Sequence, residues 1–293
     1  PVPCDEPWHY RNQMRFSVNR EGQPGLTERG THRVLPLAHC PIAHESINTV
    51  LGMFNQQVNE RPQVLVRCGA ATRQMLIQPQ QPAEVIAQLA DAGLTVCSET
   101  MEEQLCGETF RIRPSSFFQT NTAQAEKMAH MVLAGLFPTN PSTPSNAERP
   151  FTVIDAYCGV GTFALMLARR AGRVIAIEES ASSIKDARWN VREVANVEIL
   201  QGKVEDLLPA LAEQVDGLVI DPPRAGCQRP VLEALARNPV ARIVYVSCDP
   251  ATLARDLHIL CHEYATYRLE SVQPLDMFPQ TAHIECVACL VRV

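Results

Sequence analysis

The sequence has no long hydrophobic run and no basic, apolar leader at its start. No apolar stretch approaches the roughly 20 residues that a membrane-spanning helix needs. Asp5, Glu6 and Trp8 stand where a secretory leader would be basic and then apolar. We therefore predict a cytosolic protein with no membrane partner.

Lysine is scarce: three lysines stand beside twenty-three arginines, and the formal net charge is −6. Proteins that hold nucleic acid without sequence preference are usually basic. A general nucleic-acid-coating protein is therefore not expected. Any contact with nucleic acid must come from a local group of arginines or from a part outside this chain.

A disulfide framework is not indicated either, because the 11 cysteines are odd in number and spread along the chain. Cys286 and Cys289 form one C-x-x-C pair, but it lies in the strand-like run IECVACLVRV and has no second pair nearby. We expect neither structural disulfides nor a metal site.

The 293 residues are enough for two domains. Residues 136–151 are rich in Pro, Ser, Thr and Asn, which predicts a surface loop. Behind this loop strand-like and helix-like stretches alternate, which predicts a parallel sheet with helices on both faces. Residues 267–275 and 284–293 then follow with no helical pattern between them. We predict a closing hairpin with an antiparallel last strand.

The pattern in front of the loop is different. Met14 and Phe16 alternate with Arg15 and Ser17, as in a half-buried strand. A hairpin pattern and two helical patterns follow. We predict two domains: a small mixed α+β domain over residues 1–110, and an α/β domain over 111–293.

The first strand of the α/β domain ends in a pattern suited to a nucleotide. Asp155 lies at its end, Gly159 and Gly161 occupy the turn into a helix, and Glu178 ends the next strand. Glycines let backbone amides approach a ligand, and a carboxylate about 20 residues further on fits ribose hydroxyls. A cofactor-binding turn is predicted, with a purely structural strand-to-helix turn as the alternative.

Asp221, Pro222 and Pro223 follow the fourth strand as a rigid turn that carries a carboxylate, because each proline fixes its φ and lacks an N–H. This turn resembles the target-base loop of methyltransferases that use S-adenosylmethionine (SAM). Amino-group methylases of that class usually have an aromatic residue next. Arg224 stands there instead, which counts against methylation of an exocyclic amine.

Cys248 ends the fifth strand, and Asp249 and Pro250 supply an N-cap and a first-turn proline for the next helix. Amides at a helix N-terminus favour a thiolate, whereas the Asp249 carboxylate opposes it. A buried, unreactive cysteine is the alternative.

A cysteine nucleophile beside a methyl donor suits methylation of uracil at C5. C5 accepts a methyl group only after a thiolate attacks C6, and the C5 proton must then leave to a base. Glu285 begins the final strand, which reaches the same edge of the sheet if that strand is antiparallel. We take Glu285 as the candidate base.

Five segments resemble, in order and spacing, the RNA uridine-5-methyltransferase family, which makes 5-methyluridine in tRNA or 23S ribosomal RNA. They are SFFQTNTAQAEKM, DAYCGVGTF, DPPRAGC, VSCDPATLARDL and DMFPQTAHIEC. The resemblance covers residues 8–293 and is densest from residue 115 on. It implies a Rossmann-like SAM-dependent methyltransferase sheet, SAM as cofactor, an RNA substrate, Cys248 as nucleophile and Glu285 as base.

The resemblance, together with the glycine turn, also gives binding residues. The cofactor set is Gln119, Tyr157, Gly159, Gly161, Thr162, Glu178 and Asp221, and the substrate set is Phe118, Asp221 and Arg224. Thr162 and Asp249 stand where the family often has asparagine. Cys40 resembles the fourth ligand of an iron–sulfur cluster found in some members, but the three preceding ligands are absent from this chain and no cluster is expected.

Alternatives stay open at this stage. A cytosine-5 RNA methyltransferase shares the cysteine chemistry, and a non-catalytic RNA-binding module could keep a SAM pocket. Phe117 and Phe118 fit core packing as well as base stacking, and Arg11 and Arg15 fit RNA contact or a solvated strand face. The pattern does not indicate the RNA, the uridine or the oligomeric state.

Overall fold

A computed structural model of the chain describes residues 1–55, 61–138, 150–211 and 215–293. The predicted loop over 136–151 therefore lies mostly outside the described residues. The chain divides into two compact units, Asp5–Ala123 and a second formed by Pro1–Cys4 with Gln124–Val293. The domain pair predicted as 1–110 and 111–293 stays a prediction.

The first unit contains eight strands and two helices within its described residues. They are β1 Gln13–Val18, β2 Pro24–Thr27, β3 Val34–Pro36, α1 Glu45–Phe54, β4 Gln63–Cys68, β5 Gln74–Gln78, α2 Ala83–Asp91, β6 Thr95–Cys97, β7 Met101–Leu105 and β8 Glu108–Ile112. Six strands form one sheet in the order β3-β2-β1-β4-β5-β6, and β7 and β8 form a hairpin.

The alternation predicted for the first strand is present in β1. Met14 and Phe16 are buried and Arg15 is exposed. Met14 and Phe16 join Ile47 and Leu51 of α1 and Leu89 of α2 in one apolar core. The helices therefore cover one face of this sheet, where burial of apolar side chains stabilises it.

The second unit follows the predicted alternation of strands and helices. Its elements are α3 Thr122–Leu136, β9 Thr152–Ala156, α4 Thr162–Leu167, β10 Arg173–Glu178, α5 Ala181–Asn190, β11 Val197–Gln201, α6 Val204–Leu211, β12 Gly217–Ile220, α7 Arg229–Arg237, β13 Arg242–Ser247, α8 Pro250–His258, a π-helical turn Ile259–Glu263, β14 Tyr267–Leu275 and β15 Glu285–Arg292. The first two residues of α3 belong to the first unit.

Its seven strands form one sheet in the order β11-β10-β9-β12-β13-β15-β14. The strands from β9 to β13 are parallel, while β15 runs antiparallel to both β13 and β14. The predicted antiparallel last strand is confirmed. As a consequence, the start of β15 lies at the edge where the parallel strands end.

Helices lie on both faces of this sheet. Ile243 and Tyr245 of β13 pack in a core with Leu208 of α6 and Leu235 of α7. The intervening Val244 faces α3 on the other side, as expected from the alternation of side chains along a strand. In the part of the chain that the structure describes, no helix has the length and apolar character needed to cross a membrane.

Candidate active site

The turn after β9 depends on backbone conformations that favour glycine. Gly159 and Gly161 have φ of 55° and 84°, in the left-handed region where a side chain is strained. A Cβ on Gly159 would meet nothing within 4 Å, whereas a Cβ on Gly161 would lie 3.5 Å from the Cβ of Ala187. Gly159 therefore leaves its backbone open to a ligand, and Gly161 allows the turn to pack on α5.

Glu178 fixes this turn from the neighbouring strand. Its carboxylate accepts hydrogen bonds from the backbone N–H of Gly159 at 3.0 Å and of Ser180 at 2.7 Å. Ser180 in turn caps α5, its hydroxyl accepting from the N–H of Ser183. Glu178 is half-buried, so it shapes the turn and keeps partial access to solvent.

Asp155 is a buried carboxyl group at the end of β9. Its side chain is fully buried, and neither oxygen has a hydrogen-bond partner among the described residues. Burial, and then the charge of Asp221, raise its pKa well above the usual range, while the N–H of Ala164 opposes this without completing a hydrogen bond. An unpartnered acceptor beside an open glycine turn fits a ligand that brings donors.

Tyr157 and Thr162 stand on either side of the glycine turn. Tyr157 has a φ of 63°, unusual for a residue with a side chain, and its half-buried ring packs against the core. Thr162 is the first residue of α4. Both predicted cofactor residues therefore flank the open backbone of Gly159.

Asp221 and Arg224 belong to the turn that follows β12. Burial raises the pKa of Asp221 to about 7. Arg224 is exposed, and its Nη2 lies 3.3 Å from Nδ1 and 3.4 Å from Nε2 of His283. His283 gave no signal of a role in the sequence beyond its place beside Glu285.

Cys248 lies between the end of β13 and the start of α8. Asp249 is the N-cap of α8, and its Oδ1 accepts from the N–H of Ala251 at 2.9 Å and of Thr252 at 3.1 Å. The predicted cap is therefore present. The half-buried thiol lies directly before a helix whose first amides are already taken by Asp249.

Glu285 begins β15, beside the end of β13. β13 ends at Ser247, which pairs with Cys286 of β15. Cys248 and Glu285 adjoin this last pair, and the charge of Glu285 acts on the Cys248 thiol. Glu285 is 4% exposed. Burial, and then the charge of Asp221, raise its pKa to about 8, while Arg224 opposes the shift.

The same charged groups shift the pKa of the Cys248 thiol. Burial, and then the charge of Glu285, raise the pKa of Cys248, and Asp221 adds to this. Arg224 lowers it by its charge and by a hydrogen bond. Two carboxyl groups and one guanidinium thus act on the thiol in opposite directions.

Gln119 and Phe118 belong to the first unit and are described there by themselves. The backbone oxygen of Gln119 accepts from the side chain of Asn12 at 3.2 Å. Phe118 is 3% exposed and packs on Phe110, which leaves no open ring face for a base. Its predicted stacking role is therefore not supported, and the exposed ring is that of Phe117, at 64%.

The sequence did not predict one cluster of side chains of the types that bind metals. Ligand atoms of His9, His39 and Glu45 lie within 4.8 Å of one another in the first unit. Nδ1 of His9 is 3.0 Å from Glu45, and Asn48 contacts Nε2 of His39 at 3.1 Å. An ion pair and a hydrogen bond account for this grouping.

Cys286 and Cys289 do not form a ligand pair. Cys286 packs in the core under α7 and α8, whereas Sγ of Cys289 faces Gly135 of α3 on the opposite side. Cys40 is buried in the core of the first unit.

Known proteins resemble this chain over most of its length. A family model described as tRNA (Uracil-5-)-methyltransferase matches residues 71–293. An uncharacterized RNA methyltransferase of Gloeobacter violaceus is 35% identical, over 98% of this chain and 71% of its own length. One of Thermosynechococcus vestitus is 33% identical, over 99% of this chain and 73% of its own length.

A solved structure has the same fold. The crystal structure of Pyrococcus abyssi tRNA (uracil-54, C5)-methyltransferase in complex with S-adenosyl-L-homocysteine aligns with a TM-score of 0.75 and 24% identity. The alignment covers 99% of this chain and 78% of that one. The predicted α/β methyltransferase sheet with a small mixed domain before it is confirmed.

Proposed function

Because this chain belongs to the tRNA (uracil-5-)-methyltransferase family, we propose that it methylates C5 of a uridine in tRNA or 23S ribosomal RNA through a covalent adduct of Cys248. The chain is a SAM-dependent RNA methyltransferase by this membership, as the resemblance of its motifs predicted. The covalent route and the choice of RNA are the proposal.

The position of Glu285 beside Cys248 carries this proposal. The antiparallel pairing of β13 and β15 brings the Cys248 thiol and the buried carboxyl group of Glu285 to one edge of the sheet, which supports roles as nucleophile and base. The raised pKa of Glu285, about 8, suits a group that must take a proton from carbon, because a general base works best when its pKa lies near the working pH.

The residues near the glycine turn fit the methyl donor. Gly159 leaves backbone open, Asp155 has unpartnered oxygens, and Glu178 and Asp221 present carboxyl groups at the same edge. With Tyr157, Gly161 and Thr162, these are the residues of the second unit that we propose to hold it. When bound, SAM supplies an electrophilic methyl group.

The remaining chemistry belongs to this chain. The Cys248 thiolate forms a bond to C6 of the uracil, and the electron pair displaced from the C5–C6 bond makes C5 nucleophilic. Once C5 carries the methyl group, Glu285 takes the C5 proton, the C5–C6 double bond returns and the thiolate leaves. Arg224, beside the thiol, favours the thiolate and contacts the base.

The uridine must be accessible for this reaction. Attack at C6 needs one face of the base, which stacking in a helix covers, so the target is a loop or flipped nucleotide.

Substitution of the two paired residues tests the covalent route. Cys248→Ala is expected to abolish methyl transfer and the adduct with RNA that contains 5-fluorouridine, because no thiolate attacks C6. Glu285→Gln is expected to let the adduct with ordinary RNA accumulate, because the C5 proton is not removed. Denaturing electrophoresis detects both adducts.

Cys261→Ala is the matched control, since Cys261 is a half-buried cysteine on the π-helical turn. It is expected to keep full activity. Full turnover by Cys248→Ala would show that Cys248 is not the nucleophile.

Nucleoside analysis separates the alternatives. Loss of 5-methyluridine from tRNA or from 23S ribosomal RNA in cells without the gene identifies the substrate. Loss of 5-methylcytidine instead would favour a cytosine-5 enzyme, and tight SAM binding without any methyl transfer would favour a non-catalytic module.

A further inference from the structure

Helix α8 begins directly after Cys248 and carries a buried carboxylate, Asp256, that plays no part in the proposed chemistry. Asp256 is fully buried. Its Oδ2 accepts from the hydroxyl of Tyr245 at 2.7 Å and from the N–H of Cys227 at 2.8 Å. Its Oδ1 accepts from Nε of Arg255 at 2.8 Å. A carboxylate with donors on both oxygens holds a fixed orientation.

The contact with Cys227 belongs to a wider attachment between α8 and the turn 223–227. Nη2 of Arg255 donates to the backbone oxygen of Ala225 at 2.9 Å. The hydroxyl of Thr252 lies 3.2 Å from the backbone oxygen of Arg224. Three of the four backbone positions from 224 to 227, namely 224, 225 and 227, are therefore held by side chains of one helix.

Gly226 shows how closely the helix and the turn approach. Its φ is 74°, and a Cβ there would lie 2.6 Å from Nη2 of Arg255 and 2.7 Å from Oδ2 of Asp256. Its N–H closes the turn on the oxygen of Pro223 at 2.8 Å. Only glycine leaves room for both side chains.

This turn carries Arg224, whose Nη2 lies 3.3 Å from Nδ1 of His283. Arg224 acts on the thiol of Cys248 and on the carboxyl group of Glu285. The charged groups around the thiol are Glu285 from β15 and Asp221 and Arg224 from the segment after β12. Asp249, on the helix itself, is engaged by backbone amides.

We infer that Asp256 and Arg255 are positioning residues: they hold the turn 223–227 so that the guanidinium of Arg224 stays beside Cys248 and Glu285. The inference rests on the proposed function for its catalytic meaning. Asp256 contacts β13, the strand before Cys248, through the hydroxyl of Tyr245. It contacts the turn that carries Arg224 through the N–H of Cys227.

Reactivity of the Cys248 thiol tests this without RNA or methyl donor. Alkylation by iodoacetamide, followed by mass spectrometry of the Cys248 peptide across a pH series, gives the midpoint for thiolate formation. In Asp256→Asn the turn loses its charged anchor and Arg224 moves away. The midpoint is expected to rise by about one unit, so that alkylation below it slows about tenfold.

Two further variants keep the test informative if Asp256→Asn does not fold. Tyr245→Phe removes one donor to Asp256 and is expected to shift the midpoint upward by a smaller amount. Arg255→Lys keeps a cation but loses the fork that reaches both Asp256 and Ala225, and is expected to do the same.

Leu208→Ala is the control for general loss of stability. Leu208 is fully buried in the same core, on α6, and its apolar side chain forms no hydrogen bond with the turn. It is expected to lower the melting temperature while leaving the alkylation midpoint of Cys248 unchanged.

The outcomes separate the two proposals. The positioning inference would be overturned if the Asp256, Tyr245 and Arg255 variants had the same alkylation midpoint as the wild type. This holds at any rate of methyl transfer that the variants show. A wild type with no methyl transfer to any RNA would overturn the proposed function, while a shifted midpoint in the variants would still support positioning.

Discussion

At the scale of single residues, the site gathers carboxyl groups that are buried, as in Asp155 and Glu285, or half-buried, as in Asp221. Asp155, Asp221 and Glu285 lie at one edge of the sheet, and burial raises the pKa of each. A buried carboxylate is costly unless it is paired. Such a cost is tolerated where the groups bind a ligand or move protons.

Glu285 gives a pH-dependent prediction. Its pKa is about 8 in the folded chain against about 4.3 in a model peptide. Between these values the folded chain holds a proton that the unfolded chain has lost, so the free energy of unfolding falls as the pH rises through this window. Glu285→Gln has no such titration. Its stability relative to wild type is expected to increase by about 4 kcal/mol between about pH 5 and pH 8.5.

Melting temperatures across this pH range check the prediction. Glu193→Gln is the control for the substitution itself, because its side chain is 80% exposed. A constant difference between Glu285→Gln and wild type would show that Glu285 titrates normally in the fold.

Residue types predicted local geometry well where the chemistry is local. Asp249 caps α8 as expected, because an N-cap depends on neighbouring amides alone. Phe117 and Phe118 were not distinguished, because the sequence does not say which side of an irregular segment faces the core. The hydrogen bonds of Asp256 were also not predicted, since they join α8 to β13 and to the turn 223–227, which are separate in the sequence.

At the scale of elements, the sequence predicted the order of strands and helices but not their register. The absence of a helical pattern between β14 and β15 favoured an antiparallel hairpin, and the structure has one. Glu285 lies beside Cys248 only because Ser247 pairs with Cys286. A shift by one residue would turn Glu285 to the other face of the sheet, and the spacing of the motifs does not exclude that shift.

Gly135 near the end of α3 gives a prediction about packing. Replacing glycine by alanine inside a helix usually stabilises it by up to about 1 kcal/mol. A Cβ on Gly135 would lie 2.7 Å from Sγ of Cys289 and 2.8 Å from Cγ2 of Val244. Gly135→Ala is therefore expected to destabilise the second unit by about 1–3 kcal/mol, because α3 must move off the sheet.

Gly52 in α1 is the matched control. A Cβ there would meet nothing within 4 Å, so Gly52→Ala is expected to stabilise the chain by roughly 0.5–1 kcal/mol. Urea unfolding followed by circular dichroism gives both signs. A gain in stability for Gly135→Ala would mean that α3 does not need this close approach.

At the scale of the whole molecule, charge limits how RNA is held. The net charge is −6, and many arginines already have partners. Those in ion pairs with carboxylates are Arg33, Arg173, Arg192, Arg229, Arg237, Arg242 and Arg255. Arg67 is buried and donates to backbone oxygens. These contacts engage eight of the 23 arginines. Because the net charge of the chain opposes an extended contact with phosphates, we expect base and shape contacts to carry much of the affinity.

A shallow salt dependence follows for RNA binding by this chain. Each phosphate of a single strand that a protein cation neutralises contributes about −0.7 to the slope of log K against log salt concentration. We expect contact with no more than about four phosphates, hence a slope no steeper than about −3 between roughly 50 and 250 mM KCl. Fluorescence anisotropy with a labelled stem-loop RNA measures it.

Two single variants locate the phosphate contacts. Arg15 lies on the exposed side of β1 and is not ion-paired by any contact that the described residues record, so Arg15→Ala is expected to make the slope about 0.7 shallower if β1 touches RNA. Arg237 is held by Glu233, and Arg237→Ala is expected to leave the slope unchanged. A wild-type slope steeper than about −5 would mean that an acidic chain still assembles an extended basic surface, and the contribution of base and shape contacts would then be small.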